Sequence, residues 1–284
     1  MRIPNEQQSL SQDYIEQFRD DGFFFMDDVF SMQEVEYLRT VCASLPIVQS
    51  SSEEERATQT LHHLGIVAQH PALLDLARDE RIISQLRPLI GPDIELQHSK
   101  LAAKATAVGK GPFQWHQDFA FFPHTNTDLV AVMVMLDDAT SENGCMSMVK
   151  GSHKLGLLEH RKDGIFTGGC QESQIWESAS ENVIPVTPKA GGISVHHCLA
   201  LHGSPPNLSG QPRRGIVFQY RASDAYQLAD EVWDDTGLLV AGQYREQVRC
   251  TVGTVWLPRV PTRQPRYGSA WQQQGPFAQA TNEA

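Results

Sequence analysis

The sequence lacks three features that would assign it to a simple class: a cysteine framework, a long apolar run and an excess of positive charge. Its five cysteines are odd in number, and no two have CxxC spacing, which argues against a disulfide scaffold or a structural zinc site. No apolar run approaches the length of a membrane span, and MRIPNEQQSLSQDY at the start has no apolar signal core. We therefore expect a cytoplasmic protein with reduced thiols.

Basic residues are scarce relative to acidic ones. Lys and Arg number 23 against 34 Asp and Glu, which gives a formal net charge of -11. Because an acidic surface repels phosphate backbones and anionic lipid headgroups, we expect no nucleic-acid partner and no membrane partner. We expect instead a small-molecule substrate, bound by a monomer or a homodimer.

The hydrophobic fraction of 40% and the charged fraction of 20% are typical of a globular protein with a substantial core. Residues 1–93 have mostly helical patterns, whereas residues 94–251 form short β-type segments separated by Gly and Pro turns, which favours an antiparallel sandwich or barrel. Residues 156–182 have little periodicity, as in a lid-like insert, and residues 252–284 have the composition of a tail. We predict one domain over residues 1–284, mainly β with helical additions.

The helical part contains recognisable end signals. Ser11 and Gly22 bound a first helix, and the capping box Ser31-Met-Gln-Glu34 begins a second. The polar run SSSEEER at 50–56 predicts a mobile loop, and a later helix is expected to be closed by Pro88 and Gly91-Pro92. Alternation and turn residues predict strands at 23–30, 94–103, 113–119, 129–136, 145–149, 183–186, 192–198 and 215–221.

The segment QWHQDFAFFP (114–123) places His116 and Asp118 two positions apart. On a strand, such residues project from the same face, so an imidazole and a carboxylate would lie side by side. This pair supplies two of the three ligands of the facial triad that holds non-haem Fe(II). The alternative is a polar strand edge that faces solvent.

The segment HHCLALHGSPPNLSGQPRRG (196–215) offers a third ligand from a distant strand. His202 lies where an apolar stretch meets a Gly-Pro turn, which is a suitable place for a ligand at the mouth of a barrel. His196 and His197 fall within the preceding strand, and spacing alone excludes neither.

Two arginines, Arg213 and Arg214, open the last predicted strand. A guanidinium is suited to a two-point grip on a carboxylate. A 2-oxo acid that binds iron through its keto-acid end needs such a cation at its far end. A pair of surface arginines beside a turn is the alternative.

These motifs occur in a fixed order: QFRDDGFFFMDDVFSMQEVEYLR (17–39), LIGPDIELQHSKLAAK (89–104), the HxD pair, LDDATSENGCMSMVKGSHK (136–154) and LHGSPPNLSGQPRR (201–214). In this order they resemble the phytanoyl-CoA dioxygenase family of Fe(II)- and 2-oxoglutarate-dependent oxygenases. The resemblance runs from about residue 14 to 221, most of the chain. No single motif decides it, but the ordered set is specific.

The resemblance implies a double-stranded β-helix, which is a cupin-like jelly roll, with N-terminal helices packed on it. It also implies that the catalytic residues His116, Asp118 and His202 hold Fe(II). 2-Oxoglutarate and O2 are the implied cosubstrates, and ascorbate is an implied stimulant.

The resemblance further implies residues for the cosubstrate. Arg213, eleven positions after the third ligand, falls where the family's 2-oxoglutarate-binding arginine lies, with a one-residue ambiguity toward Arg214. Ser204 resembles the hydroxyl that assists at the distal carboxylate. Gln97 and Lys104 match positions that line the cosubstrate or substrate pocket.

The implied reaction is hydroxylation of an unactivated C–H bond of a small metabolite or natural-product intermediate, with release of succinate and CO2. Desaturation, cyclisation and epimerisation at the same iron are alternatives, because the position of the substrate decides the outcome after hydrogen abstraction. A non-catalytic cupin-like binding protein and a zinc hydrolase are rivals of other classes. The presence of all three ligands argues against the first, and the arginine clamp argues against the second.

Overall fold

The computed structural model of the protein describes residues 10–258. Helices dominate up to residue 90, and strands dominate from residue 94 onward. In chain order the helices and strands are α1 Gln12–Asp21, β1 Phe23–Met26, α2 Met32–Ser44, α3 Pro46–Gln49, α4 Glu53–Thr58, β2 Leu61–Leu64, α5 Pro71–Ala77, α6 Glu80–Ile90, β3 Ile94–Ala103, β4 Phe113–His116, β5 Leu129–Met135, β6 Met146–Val149, β7 Arg161–Lys162, β8 Ile165–Phe166, α7 Gln174–Glu177, β9 Val183–Val186, β10 Ile193–His197, β11 His202–Ser204, β12 Arg214–Ala222 and β13 Leu239–Ala241.

The strands form a larger and a smaller antiparallel sheet. The larger sheet has the order β1-β10-β5-β12-β3-β13, and β2 also pairs with β3. The smaller sheet has the order β4-β11-β6-β9, and β7 and β8 form a separate hairpin. The pairing of β12 with β3 extends from Arg214 opposite Ala103 to Ala222 opposite Ile94.

The larger sheet is covered on both faces, which explains why β5 reads LVAVMVM and is buried throughout. One face packs on the helices, as shown by a cluster that joins Val132 and Phe218 to Leu73 and Ile82. The other face turns toward the smaller sheet and has its own apolar cluster, which includes Met133. The predicted packing of N-terminal helices on a β core is therefore confirmed.

The capping signals of the first two helices are confirmed. The Ser11 hydroxyl accepts a hydrogen bond from Tyr14, and Gly22 ends α1 with a φ of 88°. The capping box of Ser31 and Glu34 begins α2 as predicted.

One prediction about the helical part is wrong, and another is confirmed only in part. The run 50–56 contains the start of α4, because Ser52 and Glu55 form a second capping box of the same kind. The helix expected to be closed by Pro88 and Gly91-Pro92 continues through Pro88 to Ile90. Gly91 ends it as predicted, and its N–H donates to the Arg87 carbonyl. A proline in the last turn removes only one helical hydrogen bond, so the helix tolerates it there.

The predicted strands are present, with β3 and β9 matching their predicted bounds and two strands ending early. The strand predicted at 23–30 ends at Met26, shortly before Asp28 with its φ of 58°. The strand predicted at 113–119 ends at His116 and is followed by the 3₁₀ turn Asp118–Ala120. The Phe121 N–H donates to the Asp118 carbonyl at 3.0 Å, which closes this turn.

The segment 156–182 is not irregular: it contains β7, β8 and α7. Gln117 connects it to the β core, because its side-chain amide donates to the carbonyl of Gly156 at 2.9 Å and accepts from the N–H of Leu158 at 2.8 Å. Its role as a lid stays a prediction. Of the predicted tail, residues 259–284 lie outside the described part of the chain.

Candidate active site

The pairing of β4 with β11 brings two predicted ligands together. In this antiparallel pair, His116 lies directly opposite His202, and their ring centroids are 4.1 Å apart. The register therefore explains how histidines from distant parts of the sequence become neighbours. Both side chains are buried.

Asp118 completes the cluster from the 3₁₀ turn after β4. Its Oδ1 lies 3.7 Å from His116 Nε2 and 3.9 Å from His202 Nε2. One ligand atom from each of the three residues lies within 4.8 Å of the other two. The turn therefore achieves what we expected of an extended strand, since it directs the carboxylate toward the same point as the imidazoles.

The backbone fixes the ring orientation of both histidines. His116 Nδ1 lies 2.8 Å from the Gln114 carbonyl, and His202 Nδ1 lies 2.9 Å from the Ala200 carbonyl. Because a carbonyl can only accept, each Nδ1 carries the proton and each Nε2 presents its lone pair to the cluster. Burial holds the pKa of His202 well below its usual value, so this imidazole is neutral and able to bind a metal.

The second oxygen of Asp118 is held by side chains of the larger sheet. His196 Nε2 lies 3.1 Å from Oδ2, and the Gln219 amide donates to the same oxygen at 2.8 Å. Burial raises the pKa of Asp118, but the adjoining side chains of His202, His116 and His196 hold it well below its usual value. The carboxylate is therefore ionised, with Oδ1 left for a cation. Two imidazole nitrogens and one carboxylate oxygen on one side match the donor set of a non-haem Fe(II) site.

A group of cationic and hydroxyl side chains lies beside this cluster. Arg213 is buried, forms no ion pair within residues 10–258, and has no hydrogen-bond partner for its Nε. The Lys104 ammonium donates to the Ser204 hydroxyl at 2.6 Å. Burial lowers the pKa of Arg213 to about 10, so the guanidinium stays charged at neutral pH. Burial and the nearby Arg213 lower the pKa of Lys104 to about 6.

Arg214 has the opposite surroundings. Its Nε and Nη2 each lie 2.8 Å from a carboxylate oxygen of Asp137. This two-point ion pair raises the pKa of Arg214, with the hydrogen bond to Asp137 as the largest cause. The geometry thus favours Arg213 over Arg214 for the predicted carboxylate clamp.

The cluster lies in a cavity of about 60 Å³ between the two sheets. The three predicted metal ligands, Ser204 and Arg213 all line this cavity. Gln97 does not line it: its side chain is buried elsewhere and donates to Gln227 at 3.2 Å. The remaining lining residues are Thr60, His62, Lys100, Ala102, Phe113, Met133, Met146, His196, Gly203, Val217 and Gln219.

Sequence reasoning missed Gln219, Lys100 and His62, and it weighed His196 only as a metal ligand. A signal for Gln219 existed, since it is a polar residue among apolar neighbours on a strand buried nearly throughout. Lys100 and His62 gave no comparable signal, because their place beside the metal ligands depends on the pairing of β2 with β3.

A family model described as Phytanoyl-CoA dioxygenase (PhyH) matches residues 18–215, which is more than half of the chain. The chain therefore belongs to the phytanoyl-CoA dioxygenase family. This confirms the predicted family and the predicted enzyme class, a dioxygenase.

Named relatives agree with this assignment. The chain is 36% identical over 179 residues to "Probable alpha-ketoglutarate-dependent hypophosphite dioxygenase" of Stutzerimonas stutzeri, and the match covers 61% of each chain, less than two thirds of that relative's length. It is 27% identical over 242 residues to the "Ectoine dioxygenase" of Halomonas elongata, covering 76% of this chain and 71% of the relative.

A solved structure has the same fold. The crystal structure of the non-heme alpha ketoglutarate dependent carbocyclase SnoK from nogalamycin biosynthesis matches with a TM-score of 0.65 and 24% identity, over 79% of this chain and 89% of that one. The likeness confirms the predicted cupin-like β fold with helical additions. No helix within residues 10–258 is both long and apolar enough to cross a bilayer.

Proposed function

We propose that the protein is an Fe(II)- and 2-oxoglutarate-dependent dioxygenase that hydroxylates an unactivated C–H bond of a small molecule. One oxygen atom of O2 enters the substrate and the other enters succinate, while the cosubstrate loses CO2. One observation carries the proposal: a facial set of His116, Asp118 and His202 shares a cavity with the buried, unpaired guanidinium of Arg213.

Each of these residues has a defined task. His116 and His202 offer Nε2, and Asp118 offers Oδ1, to the metal. Arg213, with Ser204 and its partner Lys104, would receive the far carboxylate of 2-oxoglutarate. The bound iron and 2-oxoglutarate together supply the oxidising chemistry.

The apolar wall of the cavity has a separate task. Met133, Met146 and Val217 line it opposite the polar groups. Such a wall excludes water and positions the substrate C–H bond, which prevents side reactions.

The named relatives narrow the search for the substrate. They suggest hypophosphite and ectoine as first compounds to screen. Formation of succinate from 2-oxoglutarate is a readout that works for every candidate.

The metal and cosubstrate sites can be tested without a substrate. Purified protein with Fe(II) and 2-oxoglutarate, kept anaerobic, should show a weak visible charge-transfer band. His116→Ala should abolish the band, whereas His70→Ala should retain it, because His70 caps α5 and does not line the cavity. Folded, iron-containing wild-type protein without the band would contradict the proposal.

Product mass separates the alternative reactions at the same centre. Hydroxylation adds one oxygen atom, desaturation and cyclisation remove two hydrogen atoms, and epimerisation leaves the mass unchanged. A non-catalytic binding protein would form no succinate with any compound that it binds.

A further inference from the structure

Lys100 places a second cation in the metal cavity. It lies on β3, opposite Val217 of β12 and Leu64 of β2. Its partly buried side chain lines the same cavity as His116 and Asp118. The Lys100 side chain therefore lines the same cavity as the proposed metal ligands.

The Lys100 ammonium has no close partner. Within residues 10–258 it forms no hydrogen bond and no salt bridge, and Asp118 is the carboxylate that attracts it from a distance. Asp118 Oδ2 is already engaged by His196 and Gln219, and Oδ1 belongs to the proposed metal-ligand cluster with His116 and His202. Even a partly desolvated charge without a partner is costly, so such a group is usually kept for a ligand.

His62 offers a second unpaired polar group beside Lys100. On β2 it lies opposite Ala102, which makes it the diagonal neighbour of Lys100 on the same face of the sheet. Its Nδ1 is buried without a hydrogen-bond partner in the described chain, and its ring packs on Phe113 at 4.9 Å. Two adjacent strands thus direct an ammonium and an imidazole nitrogen into one space.

The charges of the assembled site also favour an anion. A ferrous ion, ionised Asp118 and dianionic 2-oxoglutarate together carry one net negative charge, which Arg213 neutralises. Burial lowers the pKa of Lys100 while Asp118 raises it. As an ammonium, Lys100 leaves the site with one uncompensated positive charge, even with Lys104 uncharged. A monoanionic substrate would make the site neutral.

We propose that Lys100 and His62 form an anion-binding subsite beside the metal, which holds a carboxylate or phosphorus oxyanion group of the primary substrate. The inference rests on the proposed function, because it takes Arg213 and Ser204 as the grip on the far end of 2-oxoglutarate. It assigns the substrate to the class of small-molecule anions.

The test uses anaerobic protein loaded with Fe(II) and saturated with 2-oxoglutarate. Calorimetry measures the binding of hypophosphite, phosphite and acetate, with acetamide as the uncharged counterpart of acetate. At least one anion should bind, and acetamide should not. Lys100→Met should weaken that anion by at least about tenfold, and Lys100→Arg should keep it within about threefold, because the cation is what the anion needs. His62→Phe should cause a smaller loss.

Two controls separate the subsite from general effects of charge and folding. Lys162→Met removes the same charge from an exposed position on β7 and should leave anion binding unchanged. The melting temperature of metal-free Lys100→Met should equal or exceed that of the wild type, since an unpaired, partly buried ammonium is removed. A lower melting temperature would indicate a structural role and count against the subsite.

Three results would overturn the proposal: no anion binds the wild type, Lys100→Met binds the anions as well as the wild type does, or Lys100→Met loses affinity only for 2-oxoglutarate. The last result would assign Lys100 to the cosubstrate. The charge-transfer band of the wild type reports independently on the proposed function. Its absence would refute the oxygenase. If the band is present, the binding measurements alone decide whether the anion subsite exists.

Discussion

Basic residues flank the paired strands β3 and β12 at one end, and acidic residues flank them at the other. The two groups differ in whether they form ion pairs. Lys104 follows β3 and Arg213 precedes β12 at one end, and the part of the chain that the structure describes provides no carboxylate partner for either. At the other end, Asp93 precedes β3 and pairs with Arg245, and Asp224 follows β12 and pairs with Arg249.

We interpret this difference as one between charges that stabilise the fold and charges that are available to a ligand. The acidic end is neutralised by arginines from residues 245–249, so its charges fasten a late segment to the β core. Arg213 and Lys104 at the basic end have no such partner, so the buried charge there opposes folding until an anion binds. The comparison predicts that substitution of an unpaired cation changes ligand affinity, whereas substitution of a paired charge changes stability.

Arg213→Met should give the largest effect. It should weaken 2-oxoglutarate binding by about two orders of magnitude, because a buried carboxylate would lose its charged partner. The free energy of unfolding of the metal-free protein should not fall. Titration of the charge-transfer band with 2-oxoglutarate and urea unfolding test both statements, and an unchanged affinity would remove the basic end from the cosubstrate site.

Arg214→Met, one position further along the chain, should lower stability and leave ligand affinity unchanged. It should lower the free energy of unfolding by about 2 kcal/mol at neutral pH, because Asp137 loses its two-point partner. The affinity for 2-oxoglutarate should stay the same. If Arg214→Met lost affinity for 2-oxoglutarate and Arg213→Met did not, the cosubstrate carboxylate would be assigned to Arg214 instead of Arg213.

This effect on stability should depend on pH. Burial raises the pKa of Asp137, but the hydrogen bond and charge of Arg214 lower it below its usual value overall. A carboxyl with a depressed folded-state pKa stabilises the protein above its unfolded pKa of about 3.9 and loses that contribution as the pH falls through the folded pKa. The stability difference between the wild type and Arg214→Met should therefore shrink below about pH 4.

Gln219→Leu tests the middle of the same ladder. It removes one of the two donors to Asp118 Oδ2, and loss of such an orienting hydrogen bond should weaken metal binding by about tenfold. Gln97→Leu is the matched control, because Gln97 is an equally buried glutamine on β3 that does not line the cavity. Weakened cosubstrate binding in Gln97→Leu would support the pocket role that the family resemblance implies.

Arg249→Met at the acidic end should have the smallest effect. Its ion pairs with Asp224 and Asp128 are partly exposed, and such pairs contribute about 0.2–1 kcal/mol. The loss should diminish at high salt, which screens exposed charges. Metal and 2-oxoglutarate affinities should not change, and any change in them would show that the two ends are coupled.

Local signals predicted much of the fold. Caps at Ser11 and Ser31 predicted the first helices, and alternation with turn residues predicted the bounds of β3 and β9. The capping box of Ser52 was equally visible, but the polarity of its surroundings suggested a loop. Of the predicted end signals of α6, Gly91 is confirmed, whereas Pro88 does not end the helix because the cost of a proline depends on its position within the helix.

The residues of the candidate site also divide into those that the sequence predicted and those that it did not reveal. The HxD spacing and the turn after His202 predicted a cluster that the structure brings together, although Asp118 reaches it from a 3₁₀ turn. The choice between Arg213 and Arg214 depends on what each touches, which spacing cannot give. Lys100 and His62 depend on register between strands, so a single sequence does not reveal them.

The short strand β11 carries His202 and, two positions later, Ser204. A strand rises by about 3.3 Å per residue, so this backbone fixes the separation between a metal ligand and the hydroxyl beside Arg213. Under the proposed function, this separation would determine the carbon-chain length of the 2-oxo acid that fits, independently of how strongly either end is held. A change in the length of β11 would alter which acid fits between the two ends.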